Sequence, residues 1–173
     1  MKKNILSSIL LFFVAGITSL FAYVTPESGK VYRIHNVKTN KVIGEDCIAR
    51  QLASVDAAGN DDFKQLWLLR ESSNGYTIQN AYSGQYLHPC AQQSTQIYPT
   101  SAEEAVMYLT QVSGTQYAIG QTTGAYLHLD NSNNIVRWWD KDNTSSQWQF
   151  EEVKVSEEAI SLQQAAFQEF YAG

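Results

Sequence analysis

Three stretches of the chain repeat one another, and this constrains the fold more than any single motif. Tyr32-Arg33-Ile34-His35-Asn36 leads to Lys41-Val42-Ile43-Gly44, Tyr76-Thr77-Ile78-Gln79-Asn80 leads to Gln85-Tyr86-Leu87-His88, and Tyr117-Ala118-Ile119 leads to Ala125-Tyr126-Leu127-His128. A polar turn carrying Asn40, Gly84 or Gly124 sits between the halves, so each copy reads as strand, turn, strand. A second series keeps phase with the first: Trp67-Leu68-Leu69, Met107-Tyr108-Leu109 and Trp148-Gln149-Phe150 set two large apolar residues on one strand face, at spacings of 40 and 41 residues. One such unit cannot bury its own apolar face, so three must close around a shared core, which also removes exposed sheet edges. Propellers typically need at least about four blades. The pattern therefore predicts an all-β chain, a β-trefoil of three repeats with about four strands each over residues 30–153. Its final strand, Trp148 to Val153, pairs beside the first, since no strand is expected before Lys30.

The repeated apolar positions are the expected core: Tyr32, Ile34, Trp67, Leu69, Tyr76, Ile78, Met107, Leu109, Tyr117, Ile119, Trp148 and Phe150. From Ser156 the spacing turns helical through Ile160, Leu162, Ala166, Phe167 and Phe170, with Ser156 as N-cap and Glu157 and Glu158 in the first turn. Residues 156–172 thus read as a C-terminal helix folded back on the trefoil, or as a linker to a partner domain. At the other end, Lys2 and Lys3 precede an apolar run from Ile5 to Ala22, the layout of a signal peptide over residues 1–22. A retained anchor is the alternative, because a run of 18 residues approaches the shortest membrane span of about 17. The Ser and Gly within the run favour cleavage, and a secreted or periplasmic protein is expected, with no membrane contact once the segment is removed.

Without Lys2 and Lys3 the excess of acidic over basic residues grows from five to seven, which disfavours nucleic acid as a partner and leaves neutral ligands open. About 150 residues bury a core large enough to need no staple. Cys47 and Cys90, the only cysteines, fall just after the second strand of successive repeats, where an oxidising compartment permits a bridge but spacing does not establish one.

Gln65-Leu66-Trp67 resembles the Gln-x-Trp signature of ricin-type β-trefoil lectins, and Ser146-Gln147-Trp148 is a near-match at the equivalent place in the third copy. The Tyr-Leu-His and Trp-Trp-Asp stretches also resemble trefoil modules of secreted bacterial polysaccharide-processing proteins. The resemblance implies a shallow pocket in each copy, with an acid at the end of the second strand, an aromatic after the third strand that stacks on a pyranose, and polar side chains around them. Such a pocket suits a sugar, whose axial C–H face packs on an aromatic ring while its hydroxyls need directional partners. Counting nine residues back from Trp148 and from Met107 reaches Trp139 and Tyr98 as stacking residues, whereas the first copy offers only Ala57 and Ala58. Strand alternation allows only one of Trp138 and Trp139 to face the core.

The acid position falls on Gly44, His88 and His128, a departure from the family that puts galactose-type recognition in doubt. Asp130 is close enough to His128 to substitute, while Glu45 and Asp46 read as a solvated turn. The expected carbohydrate-binding residues are therefore His128, Asp130, Arg137, Trp139 and Asn143 in the third copy, and His88, Gln96 and Tyr98 in the second.

No catalytic constellation accompanies them. The chain has no Gly-x-Ser-x-Gly elbow, His-Glu-x-x-His helix or phosphate loop, the cysteines lack metal-ligand spacing, and Asp61-Asp62 and Glu103-Glu104 read as loop acids. No enzyme activity, metal or cofactor is expected. The expectation is a carbohydrate-binding module for an oligo- or polysaccharide. The alternative is a protein-binding trefoil such as a protease inhibitor, which would place its anchors on a protruding loop such as Asp56 to Lys64.

Overall fold

A computed structural model describes residues 22–90 and 98–172. The apolar segment before Ala22 and the candidate residue Gln96 lie outside the described residues. Thirteen strands run in chain order: β1 (Tyr23–Val24), β2 (Val31–Asn36), β3 (Val42–Asp46), β4 (Gln51–Val55), β5 (Trp67–Ser72), β6 (Gly75–Asn80), β7 (Tyr86–Leu87), β8 (Thr100–Ser101), β9 (Tyr108–Ser113), β10 (Gln116–Gly120), β11 (Tyr126–Leu129), β12 (Ile135–Trp138) and β13 (Gln147–Glu152), followed by helix α1 (Glu157–Ala172).

The first and fourth strands of each repeat close a six-stranded barrel, in which β2 pairs β5, β5 pairs β6, β6 meets β9, β9 pairs β10, β10 pairs β13 and β13 returns to β2. Six of the remaining strands form three hairpins, β3–β4, β7–β8 and β11–β12, that cap it. The threefold register is explicit: Tyr32 stands opposite Trp67, Tyr76 opposite Met107 and Tyr117 opposite Trp148. This is the β-trefoil that the repeats require. The turn residues Asn40, Gly84 and Gly124 all take positive φ (60°, 75° and 77°), the left-handed conformation in which glycine is unstrained and asparagine tolerated. One addition to the expected pattern is β1, which lies before Lys30 and pairs with β13.

Ten of the twelve expected core residues are buried, and Tyr76 and Leu109 are half-buried against the same cluster. Trp67 and Trp148 also donate their indole N–H to the carbonyl of the second strand in their own repeat, Ile43 at 2.8 Å and Leu127 at 3.0 Å. Met107 has no such donor. Asn36 and Asn80 repeat another device. Each donates Nδ2 to the turn before the fourth strand that pairs with its own strand, at Ser145 O and Lys64 O, and each accepts backbone N–H groups of its own turn, from Lys38 and from Tyr82 and Ser83.

A second, smaller cluster of Val31, Leu66, Leu68, Ala81 and Val153 is covered by Ile160 of α1. Ser156 Oγ accepts the Ala159 N–H at 3.1 Å and so caps that helix. Phe167 packs edge-on against Tyr82, and Gln164 Nε2 donates to Asn80 O. Among the described residues no helix is long and apolar enough to cross a membrane. No disulfide joins Cys47 and Cys90.

Glu45 corrects the reading of a solvated turn. Its side chain is buried and accepts hydrogen bonds from Ser83 Oγ and from Thr100 Oγ1 (2.7 Å), tying the first repeat to the second. Asp46 beside it is exposed and caps the turn at Ile48 and Ala49.

Candidate functional site

The register of the cap hairpins decides which side chains can meet a ligand. Tyr126 stands opposite Trp138, Leu127 opposite Arg137, His128 opposite Val136 and Leu129 opposite Ile135. Alternation therefore puts Leu127, Leu129, Ile135 and Arg137 on the core side, and Tyr126, His128, Val136 and Trp138 on the outer side. Leu127, Leu129 and Ile135 are indeed core residues, and Arg137 donates from Nη1 to Cys90 O at 3.1 Å.

On the outer side lies a cleft of about 280 Å³. Trp138 and Val136 form its apolar wall, His128, Asp130, Asn131, Asn143 and Ser145 its polar rim, and Lys38 reaches it from the first repeat. The His128 ring stacks on Trp138 with centroids 5.2 Å apart and planes 26° apart. Its Nδ1 shares a hydrogen bond with Ser146 Oγ at 2.8 Å. Burial is the largest influence on this imidazole and lowers its pKa from the ordinary 6.5. Lys38 pushes the same way, while Asp130 and Asp140 oppose them. His128 is therefore neutral at pH 7, able to offer either a donor or an acceptor according to tautomer.

Two rim residues are held by the local backbone. Asp130 Oδ1 accepts the N–H groups of Ser132 and Asn134, both at 2.8 Å, and so builds the β11–β12 turn. Asn143 Oδ1 accepts the Ser145 N–H at 2.9 Å and caps the short 3-10 turn before β13, as Asp62 does before β5. The Asn143 amide nitrogen makes no hydrogen bond to another described residue.

Three of the expected five third-repeat residues, His128, Asp130 and Asn143, thus meet in one cleft. Trp139 stands beside it. Its ring is 60% exposed and packs on Trp138 at 6.0 Å, one residue past the end of β12. Arg137 faces the interior and takes no part in the rim. Neither tryptophan faces the core, because the residue that does so at this level is Arg137.

The second repeat needs a larger correction. Tyr98 is fully buried in the core and donates its hydroxyl to Ala125 O at 3.1 Å, and burial pushes its pKa up to about 12. It is a packing residue, with no face for a sugar. Leu87 stands opposite Thr100 as Leu127 does opposite Arg137, so Tyr98 is the counterpart of Ile135, and Ser101 is the counterpart of Trp138. His88 is half-buried, with its backbone N–H on Pro99 O. No aromatic wall stands at this position of the second repeat.

In the first repeat Gly44 takes the place of His128. A Cβ there would sit 3.2 Å from Val55 Cγ2 and 3.8 Å from Gln65 Cγ. Gln65 fills this space and holds the neighbouring loop, donating Nε2 to Asp56 O and accepting the Ala58 N–H. In the third repeat the small Ser146 replaces that glutamine, and the histidine occupies the room.

The comparisons agree with this architecture. Residues 20–97 match the family profile described as ricin-type beta-trefoil lectin domain-like. A ricin B-like lectin of Macrolepiota procera, solved in complex with lactose, superposes with a TM-score of 0.66 at 18% identity, over 75% of this chain and 100% of that one. The designed threefold-symmetric protein ThreeFoil superposes with a TM-score of 0.63 at 14% identity, over 71% of this chain and 99% of that one. The chain is a β-trefoil, and its residues 20–97 are similar to ricin-type lectin-like domains. A GlcNAcα1-4Gal-releasing endo-β-galactosidase of Clostridium perfringens contains a similar unit, with a TM-score of 0.62 at 16% identity over 72% of this chain and 33% of that one. No curated protein matches the sequence. The aromatic-walled cap cleft belongs to the third repeat, which lies outside the residues that the family profile matches. Sequence reading missed Trp138, Lys38, Asn131 and Ser145. The signal available for Trp138 was the apolar Ile135, two positions before the residue opposite Leu127.

Proposed function

We propose that this lectin-like domain binds carbohydrate, without catalysis, in the third-repeat cleft, with Trp138 as the stacking surface. The observation that carries the reading is the grouping of an indole wall with a neutral imidazole, the Asn143 amide and Asp130 in one shallow cleft. The C–H face of a pyranose packs on the indole, and His128, Asn143 and Asp130 hydrogen-bond its hydroxyls. Lys38 adds a cation at the rim, which suits an acidic sugar as well as a neutral one. The segment before β5 supports this reading over that of an inhibitor loop. Arg33 ties it down through Gly59 O and Asn60 Oδ1, and Phe63 is packed inward. The apolar run from Ile5 to Ala22 is the ground for placing the domain outside the cytoplasm, where polysaccharide is met.

A cleft that covers one face of one sugar gives dissociation constants on the order of millimolar to high micromolar. The test is calorimetric titration with neutral and acidic saccharides. Trp138→Ala should weaken binding about tenfold or more, since an aromatic contact carries about 0.5–1.5 kcal/mol beyond the area it buries. Trp139→Ala should change it by no more than about threefold, a much smaller loss of contact. Binding that survives Trp138→Ala unchanged would remove the cleft as the site.

A further inference from the structure

A second concave surface also draws on β11. It is a groove of about 460 Å³ bounded by Tyr108 of β9 and Tyr126 of β11, with Thr110, Gln121, Thr122 and Thr123 along its edges. Gly120 makes the groove possible. A Cβ at this position would sit 2.4 Å from Ala125 O and 2.8 Å from Tyr126 Cδ1, so any side chain would push Tyr126 aside. The chemistry of the lining is uniform: two phenol rings and four neutral polar side chains, with no charged residue among them. Thr110, Gln121, Thr122 and Thr123 are exposed, and their side chains make no hydrogen bond to another described residue. Tyr108 is 42% exposed, which leaves part of its ring open for stacking.

The groove adjoins the cleft. Tyr126 is the cross-strand partner of Trp138, and it shares the outer face of β11 with His128, two residues or about 6.6 Å away along the strand. We propose that the groove is a second saccharide subsite, which takes a neutral sugar residue of the same glycan chain whose neighbouring residue occupies the Trp138 cleft. This rests on the carbohydrate reading of that cleft, and it makes the domain selective for oligosaccharides over monosaccharides. Tyr108 supplies the stacking face, and the Thr and Gln side chains supply donors and acceptors for hydroxyls. A charged ligand finds no counter-ion in the groove, so the residue bound there is uncharged. Joining two weak subsites on one ligand raises affinity through effective concentration rather than through tight single contacts.

The test uses the whole chain and calorimetric titration with glucose, galactose, lactose, cellohexaose, xylohexaose and laminarihexaose. Four proteins are compared: wild type, Trp138→Ala, Tyr108→Ala and the double variant Thr122→Val/Thr123→Val, each with its Tm measured. The wild type should bind an oligosaccharide more tightly than its monosaccharide. Tyr108→Ala should weaken oligosaccharide binding about fivefold to tenfold and leave monosaccharide binding unchanged. The Thr122/Thr123 variant, altered only on an exposed turn, should weaken it in the same selective way. Trp138→Ala should weaken both ligand classes. If the groove variants bind oligosaccharide as the wild type does while Trp138→Ala loses it, the second subsite is refuted and the cleft stands. A Tyr108→Ala variant that loses Tm and binds both classes equally less well would show that the ring merely shields Gly120, refuting the subsite if the threonine variant is silent. If the wild type binds none of the six saccharides, the groove is refuted, and the cleft is refuted with it when acidic saccharides also fail to bind.

Discussion

Tyr98 separates a core residue from a binding residue by energy alone. Its ring is fully buried, its backbone carbonyl accepts the Leu52 N–H at 3.0 Å, and its hydroxyl donates to Ala125 O. Truncation to alanine removes a whole aromatic side chain from a filled interior, and such deletions cost about 3–5 kcal/mol. The hydroxyl is worth much less. Ala125 O also accepts the Gln121 N–H at 3.2 Å, so Tyr98→Phe leaves this carbonyl with a partner. The loss is then that of one ordinary buried hydrogen bond, about 0.5–1.5 kcal/mol. For a domain of this size about 1 kcal/mol moves Tm by about 2–4 °C, so Tyr98→Ala should lower Tm by roughly 6–20 °C and Tyr98→Phe by roughly 1–6 °C. Thermal unfolding followed by near-ultraviolet circular dichroism reads both. The phenylalanine variant should bind saccharide as the wild type does. A Tyr98→Ala protein that keeps its Tm within about 3 °C of wild type but loses saccharide binding would place the ring at the surface and refute the register of β8.

Two further outcomes follow from single side chains. The folded pKa of His128 lies below its ordinary 6.5, so between those two values the unfolded chain binds more protons than the folded one. Its contribution to stability is therefore present above about pH 6.5 and lost as pH falls through the folded value, and the Tm of the wild type should drop over that window relative to His128→Asn. Parallel Tm curves for the two proteins would show that the imidazole is not desolvated. Replacing Cys47 and Cys90 together with serine should preserve a single cooperative transition, and alkylation of Cys47 in the folded protein should be slow at pH 8, since burial pushes its thiol up to about 12. Loss of cooperative unfolding in the double variant would show that one of the thiols packs irreplaceably.

The barrel was legible because each of its strands carries two constraints at once, the alternation of apolar residues and the phase of the repeat. Tyr32, Tyr76 and Tyr117 and their partners Trp67, Met107 and Trp148 satisfy both. The third strands of the cap satisfy neither. Seven residues separate Thr100 from Met107, and eleven separate the equivalent Arg137 from Trp148. A fixed count back from the fourth strand therefore lands on Trp139 instead of Trp138 and brings the core residue Tyr98 to the surface. Unequal loops cost little when they lie outside the core, so nothing in the apolar pattern reports their length. Glu45 was illegible for another reason. A carboxylate between Gly44 and Asp46 looks like part of a turn, and only the tertiary fold supplies the Ser83 and Thr100 hydroxyls that allow it to be buried. His128 was legible as a site residue, but the exchange of bulk between Gly44 with Gln65 and His128 with Ser146 becomes visible only when the repeats are superposed.

The missing indole at Met107 makes the second sector of the barrel unlike the other two. Trp67 and Trp148 each latch a fourth strand to the hairpin above it through a buried N–H, so opening either sector breaks that bond together with the surrounding contacts. The Met107 side chain adds only the dispersion contacts of a flexible thioether to its sector, and the hairpin above it is two residues long on each side. Amide hydrogens of β7 and β8 should therefore exchange with solvent through local openings of lower free energy than those that release β3 or β11. The threefold is one of shape, while resistance to opening is unequal, with the sector bearing the Trp138 cleft among the two that hold fast.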